Sequence, residues 1–361
     1  MIESSTNNIQ GDQKIVRRIS ENRQDFLDIA RGLAIVLVVF GHALRGLAEA
    51  GTFEFAGVWG AVDYLIYTFH MPIFFLISGS LMVKTFGQPL PDFFKSRIIN
   101  IAWPYVLWSL IQGTIVIVLS GSGATNFHAS PAMLLTIGWA PFSQFWFLYA
   151  LFFASILLIL CMRYFSVAAT LAIAVIFFFL AEYLLPLTLR HVAYGFLYLA
   201  LGAFATDKNG FSALRPKYLD CMIFLIAGLA IGLLFLFMEV QVRQTIPAAC
   251  AMMAALLCVS KAIAEKPNYL SICFRFLGQF SFGIFILHLI AIGVTRLVAQ
   301  RVLGISEPAI LLALLTIAGT LLPLVAQAIV LKLGIATVAG LPLSAFKPKI
   351  GNLNGGNRHD S

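Results

Sequence analysis

Charged residues are scarce in this sequence of 361 residues. Asp, Glu, Lys and Arg together make up 11% of the chain, whereas 60% is hydrophobic and the mean hydropathy is +0.92. A soluble domain typically contains about 25% charged residues. The composition therefore excludes a soluble protein of this length and predicts an all-α polytopic bundle of transmembrane helices with no soluble domain.

The sequence also lacks the short motifs of several common protein classes. It contains no GxSxG, no GxxxxGK[ST], no HExxH and no pair of close intramembrane carboxylates of the kind that proton-driven carriers use. Its five cysteines form no CxxC pair and no His/Cys cluster, so we predict neither a disulfide framework nor a metal site. The net charge of +8 resides in tails and short loops, so no nucleic-acid partner is predicted.

Ten apolar segments are long enough to predict membrane spans. They cover residues 26–47, 58–82, 98–119, 142–162, 167–187, 192–205, 219–238, 246–263, 277–298 and 309–333. A polar tail, residues 1–24, precedes the membrane domain of residues 25–333, and a tail rich in Gly and Asn, residues 334–361, follows it and is predicted to be disordered. The first span is predicted to be retained, because the apolar run is too long for a signal peptide and lacks a cleavage site.

The distribution of basic residues predicts that both termini are cytoplasmic. With that orientation, only five of the 24 Lys and Arg residues fall on the outer side: Arg45, Arg190, Arg243, Arg296 and Arg301. Cytoplasmic loops and tails carry an excess of Lys and Arg in membrane proteins, so this bias supports the ten-span prediction.

The first span carries two ionisable residues that an ordinary membrane anchor lacks. Arg31 lies near its start and His42 near its end. Eleven residues at about 100° each place both side chains on one helix face, about 16 Å apart along the axis. The alternative to a functional role is that Arg31 extends to the lipid headgroups as an anchor and that His42 is packed between helices with a hydrogen bond to a neighbour. Ionisable residues inside spans are costly and are functional candidates by default.

Other polar and aromatic residues in the spans are weaker candidates. His70, in the second span, is predicted to face the same cavity as His42, and His288 lies in the middle of the ninth span. Each can equally form a simple interhelical hydrogen bond. Trp146 can line a sugar-binding wall or belong to an interfacial aromatic belt. A neutral imidazole can accept a proton from an alcohol, and an arginine can hold phosphate, as acyl transfer from a phosphate-bearing thioester requires.

These segments resemble the acyltransferase-3 family of membrane O-acyltransferases. The first span, DFLDIARGLAIVLVVFGHALRGL, fits the family signature of Arg or Lys, ten residues, then His. The segments FHMPIFFLISG, FWFLYALF, LGAFA and FLGQFSFGIFILH follow in family order. The family often has Arg-x-x-Arg before the third span, whereas this chain has Arg97 followed by Asn100 at the second position, with Lys95 nearby.

The resemblance implies an O-acetyltransferase of the bacterial inner membrane that uses acetyl-CoA and a sugar hydroxyl of an exopolysaccharide, lipopolysaccharide or lipid-linked glycan. It implies His42 as the catalytic base or acetyl carrier, Arg31, Arg97 and Lys95 at the coenzyme A phosphates, and His70, Trp146 and His288 around the acceptor. The expected partners are the carbohydrate acceptor and membrane lipid. Succinyl or another acyl donor stays open, and the alternative function is a glycan transporter or flippase.

Overall fold

The computed structural model describes residues 2–52, 57–120, 130–214, 217–266 and 268–341, with side chains from residue 25 onward except that of residue 212. Every element in this part of the chain is helical. The α-helices are α1 (Ile2–Glu49), α2 (Val58–Met82), α3 (Leu90–Arg97), α4 (Trp103–Leu119), α5 (Ala132–Leu135), α6 (Trp146–Tyr164), α7 (Val167–Leu184), α8 (Leu187–Asp207), α9 (Gly210–Ala213), α10 (Tyr218–Phe237), α11 (Ile246–Glu265), α12 (Tyr269–Gln279), α13 (Ser281–Arg301) and α14 (Pro308–Lys332).

Ten helical segments of the described chain are long and apolar enough to cross a membrane. They are Asp25–Glu49, Val58–Thr85, Leu90–Leu119, Ser143–Tyr164, Val167–Leu184, Leu187–Asp207, Tyr218–Phe237, Ile246–Glu265, Ser281–Arg301 and Pro308–Lys332. The predicted all-α bundle of ten spans is confirmed, and the protein is a multi-pass membrane protein.

The third span begins earlier than predicted. Residues 90–97 form α3, which has a proline in its first turn and Asp92 close to its positive end, both favourable for starting a helix. A π-helical turn, Ile98–Ala102, then joins α3 to α4. Arg97 therefore lies inside the helical span, immediately before the π-turn, and not in a loop.

The ninth span begins later than predicted because a separate helix, α12, precedes it. Asn268 and Ser271 form a capping box at the start of α12, with hydrogen bonds of 2.9 Å and 3.0 Å between each side chain and the other residue's backbone N–H. This arrangement satisfies two backbone donors that a helix start leaves unpaired. Residues 268–279, predicted as loop and early span, are thus a short helix followed by α13.

The described part of the chain continues to residue 341, past the predicted end of the membrane domain at residue 333. Residues 334–341 pack against α4, where the indole N–H groups of Trp103 and Trp108 donate hydrogen bonds to the carbonyl oxygens of Val338 and Ala339, at 3.1 Å and 2.9 Å. Leu341 is buried. The rest of the predicted tail, residues 342–361, lies outside the described residues, and α1 begins at Ile2, within the predicted polar tail.

Glycines allow α2 and α8 to cross with their backbones in close contact. A Cβ atom at Gly79 of α2 would overlap the carbonyl oxygen of Leu199, and one at Gly202 of α8 would overlap that of Leu76. Small residues at such crossings permit the close packing on which membrane helix association depends. The segments FHMPIFFLISG and LGAFA therefore meet at this crossing.

The membrane part of α1 lies at the centre of the bundle, in contact with α2, α11, α12, α13 and α14. Several of its small and aliphatic residues, among them Ala30, Ala34 and Val38, are fully buried. The spans alternate in direction, so α1, α4 and α13 end where α2 and α6 begin. We call this the α1–α2 end. The other end contains Asp28, Arg31 and α3.

Candidate functional site

A cavity of about 450 Å³ opens at the α1–α2 end. Its size falls in the usual range for small-molecule sites, which is about 300–1,000 Å³. Most of its wall is apolar and comes from α4 and α13. Its polar and aromatic lining residues are His42, Arg45, Glu49, Tyr67, His70, Gln112, Ser143, Gln144, Trp146, Phe285 and Arg296. Three of the predicted site residues, His42, His70 and Trp146, therefore line one cavity.

Three histidines converge beside this cavity. The ring centroids of His42 and His288 are 5.0 Å apart, and the Tyr67 ring contacts both His42 and His70, with centroid distances of 6.1 Å and 4.4 Å. His42 is partly exposed to the cavity, whereas His288 is fully buried. His288 thus lies behind His42 and not on the cavity wall, because α13 directs its ring toward α1.

Backbone carbonyls define the proton positions on two of these rings. The Nδ1–H of His70 donates to the carbonyl oxygen of Ile66 at 2.7 Å, and that of His288 donates to Phe285 at 2.7 Å. A carbonyl oxygen can only accept, so each neutral ring carries its proton on Nδ1 and presents Nε2 as an acceptor. The Nε2 of His288 is buried and has no partner within the described chain. An acceptor nitrogen therefore lies next to His42.

An arginine on α1 completes the polar end of the cavity. Arg45 donates two hydrogen bonds of 2.8 Å to the two carboxylate oxygens of Asp63, which is buried. Its guanidinium also lies 3.1 Å from the centroid of the Tyr67 ring. The bidentate pair and the cation–π contact hold both side chains in place. Sequence reasoning did not single out Arg45 or Tyr67 as site residues, although Arg45 lies one helical turn after His42 and Tyr67 precedes His70 by three residues.

Two glutamines were also missed. The side-chain amides of Gln112 and Gln144 are buried and exchange reciprocal hydrogen bonds of 3.0 Å and 2.8 Å. Their neighbour Ser143 has a positive φ of 49°, which is uncommon for a residue with a Cβ. No sequence pattern indicates that these residues meet, because Gln112 and Gln144 are separated by 32 residues.

The predicted phosphate-binding residues do not line this cavity. Arg31 forms an ion pair of 3.1 Å with Asp28. Lys95 is exposed, and Arg97 lies over the Phe93 ring at 4.9 Å, with a buried Nε that has no hydrogen-bond partner among the described residues. These cations belong to the end of the bundle opposite the cavity. No cluster of three or more His, Cys, Asp or Glu side chains suited to a metal occurs in the described ranges.

The fold and the site define the class of this protein: it is a membrane-embedded helical bundle with a cavity lined by histidines. The family model described as "Acyltransferase domain" matches residues 24–328, so the chain belongs to this acyltransferase family. It is also similar to two proteins described as "Nodulation protein NolL". The protein from Mesorhizobium japonicum is 29% identical over 145 residues, or 38% of this chain and 36% of that protein.

The second relative, from Sinorhizobium fredii, is 30% identical over 142 residues, which cover 36% of this chain and 34% of that protein. The matched region therefore spans about a third of the length of these relatives. No solved structure shows a significant match.

Proposed function

We propose that this acyltransferase is an O-acetyltransferase that moves an acetyl group from acetyl-CoA to a sugar hydroxyl of a cell-envelope glycan. The observation that carries the proposal is the position of His42, which is open to the cavity and backed by the unpaired Nε2 of His288. An imidazole with one ring nitrogen facing a substrate and the other near a hydrogen-bond acceptor is suited to general base catalysis.

In the proposed reaction His42 accepts the proton of the acceptor hydroxyl as the hydroxyl oxygen bonds to the acetyl carbon. The carbon–sulfur bond of the thioester breaks, and the proton on His42 passes to the departing sulfur. The products are the sugar ester and the free thiol. An acetyl group carried briefly on His42 would give the same products in two steps.

The two ends of the bundle support separate routes for the two substrates. The cavity opens at the α1–α2 end, where uncharged and paired polar groups suit a hydroxylated acceptor. Arg31, Lys95 and Arg97 lie at the opposite end, where cations suit the phosphates of a thioester donor. The second Arg of the family motif is Asn100 here, so we assign donor phosphate binding mainly to Arg31 and Arg97, with Lys95 as a secondary contact.

Purified protein in detergent, labelled acetyl-CoA and envelope glycan from cells lacking the gene provide the direct test. We expect label to appear on the glycan as an alkali-labile ester and thiol to be released in equal amount, both measured by mass spectrometry and thiol assay. A protein that leaves both substrates unchanged while moving glycan across vesicle membranes would contradict this proposal.

We also propose that the protein resides in the bacterial inner membrane with both termini in the cytoplasm. A green fluorescent protein fused to the C-terminus should then fluoresce, and an alkaline phosphatase fused there should be inactive. Fusions of both reporters after residue 52, between α1 and α2, should give the opposite result. The reverse pattern at both positions would place the basic end outside and contradict the donor route.

A further inference from the structure

We propose that Gln112, Ser143, Gln144 and Trp146, which we call the amide wall, form a binding site for the pyranose ring of an uncharged sugar residue of the acceptor. This inference rests on the proposed function, and it assigns the acceptor to a particular side of the cavity. All four residues line the same cavity as His42. Gln112 lies on α4, Ser143 and Gln144 lie in the short segment before α6, and Trp146 is the first residue of α6.

The paired glutamines offer hydrogen bonds beyond those they make to each other. Each amide has two N–H donors and an oxygen with two lone pairs, and the reciprocal pair uses one donor and one lone pair on each side. One N–H and one lone pair therefore remain on each side chain, at the cavity wall. Adjacent hydroxyls of a sugar ring, each both donor and acceptor, match such a paired set.

Trp146 provides an apolar surface beside the glutamines. The ring of His191 stacks against it, with centroids 4.5 Å apart and an angle of 30° between the planes. His191 thus supports one face of the indole, while the half-buried Trp146 still lines the cavity. A supported aromatic face can pack against the C–H face of a sugar ring, which combines an apolar face with a polar rim.

The backbone at Ser143 links these two parts of the wall. Its left-handed conformation places Ser143 at the cavity and turns the chain so that Gln144 and Trp146 also line it. Residues held in such sparsely populated conformations cluster at ligand sites, where the surrounding packing maintains them. Here the buried Gln112–Gln144 pair and the Trp146–His191 stack supply that packing.

Charge distinguishes a sugar from the donor's phosphates as the occupant. The amide wall contains no charged side chain. The cations of the cavity are already engaged, since Arg45 is paired with Asp63 and Arg296 donates to the carbonyl oxygen of Gly46 at 3.0 Å. Phosphate recognition depends on available Arg or Lys donors, whereas neutral hydroxyls are recognised by amides and aromatic faces.

The double variant Gln112→Leu/Gln144→Leu tests this inference. Replacing both partners of a hydrogen-bonded pair leaves no buried amide unsatisfied, so the fold should tolerate the change. With envelope glycan from cells lacking the gene as acceptor, we expect the KM for the glycan to rise about tenfold, as for the loss of two hydrogen bonds, while the KM for acetyl-CoA changes less than twofold. Trp146→Leu should also raise the KM for the glycan. It provides the test if the double variant does not fold.

Gln327→Leu is the matched control, because Gln327 is also buried but does not line the cavity. It should leave both KM values unchanged. An unchanged glycan KM in the double variant and in Trp146→Leu would overturn the inference, and so would a rise confined to the KM for acetyl-CoA. A wild-type protein that transfers no acetyl group to the glycan would instead contradict the proposed function itself, so the two failures are distinguishable.

Discussion

The histidine cavity and the basic end of the bundle differ in how fully their polar groups are arranged. At the cavity, Arg45 is paired with Asp63 and stacked on Tyr67, and the carbonyls of Ile66 and Phe285 define the histidine tautomers. At the basic end, Arg31 is paired with Asp28, whereas Lys95 is exposed. Arg97 contacts an aromatic ring, and no described acid forms an ion pair with it.

The difference indicates what each region requires from its ligand. A preorganised cavity can position a neutral hydroxyl for chemistry without rearrangement, which is the condition for efficient catalysis. A cation without an acidic partner gains most from a ligand that brings its own negative charge. The comparison therefore separates the effects of substitutions. Changes at the cavity should alter the chemical step or acceptor binding, and changes at the proposed phosphate-binding residues of the basic end should alter donor binding.

His42→Ala should have the largest effect. Removing a general base typically lowers the rate by a factor of about 10²–10⁴, so acetyl transfer should fall to near background. Transfer of label from acetyl-CoA to glycan measures the loss. Membrane insertion and the amount of folded protein, followed by fluorescence-detected size exclusion, should match the wild type. His359→Ala, in the C-terminal segment, is the control, and near-normal transfer by His42→Ala would exclude the proposed role.

Arg31→Lys should weaken donor use about tenfold. Lysine keeps the positive charge opposite Asp28 but cannot form the bidentate contact that arginine makes with phosphate. The charge-assisted hydrogen bond that is lost is worth about 1.5–3 kcal/mol. Initial rates at varied acetyl-CoA should show the change in KM for the donor.

Arg275→Lys is a matched control for that change, because Arg275 also lies at the basic end and forms an ion pair of 3.1 Å, with Asp25. It should leave donor kinetics within twofold of the wild type. The assignment of Arg31 to the donor site would be contradicted if both substitutions changed the KM for acetyl-CoA equally, or if Arg31→Lys changed only the KM for the glycan.

Much of the fold was predictable because apolar runs of span length dominate the sequence, and all ten spans follow from them. The helical period also predicts that Arg31 and His42 share one face of α1. The starts of α3 and α12 were missed, because local capping residues set them and the apolar pattern does not. The packing of residues 334–341 depends on Trp103 and Trp108, which are more than 200 positions away.

The candidate site was predictable only where residue type is unusual for its surroundings. Histidines inside apolar runs are conspicuous, so His42, His70 and His288 were identified. The partners that hold the site together come from different helices, and nothing in their local sequence pairs Gln112 with Gln144 or Arg45 with Asp63. Long-range packing decides such pairs, and a single sequence does not reveal it.

His288→Asn should lower kcat about fivefold and leave both KM values unchanged. The asparagine amide can still donate to the Phe285 carbonyl oxygen, but it has no acceptor nitrogen at the Nε2 position. It therefore cannot accept the hydrogen bond, worth about 1 kcal/mol, that we propose Nε2 accepts from His42 during the reaction. Steady-state kinetics with each substrate varied would show the split. A change in KM with kcat unaltered would indicate that His288 contacts substrate, against the buried position behind His42.

Asp63→Asn should have the smallest effect, about a threefold rise in the glycan KM. The amide oxygen can accept one hydrogen bond from Arg45, but the bidentate ion pair is lost, so the guanidinium is held less firmly over Tyr67. Glu182→Gln is the matched control, because the Arg243–Glu182 pair, at 3.0 Å, is another arginine–carboxylate pair with a buried acid, and Glu182 does not line the cavity. If both substitutions raise the glycan KM equally, the effect reflects general loosening of the α1–α2 end, and the preorganisation of the cavity does not depend on Arg45.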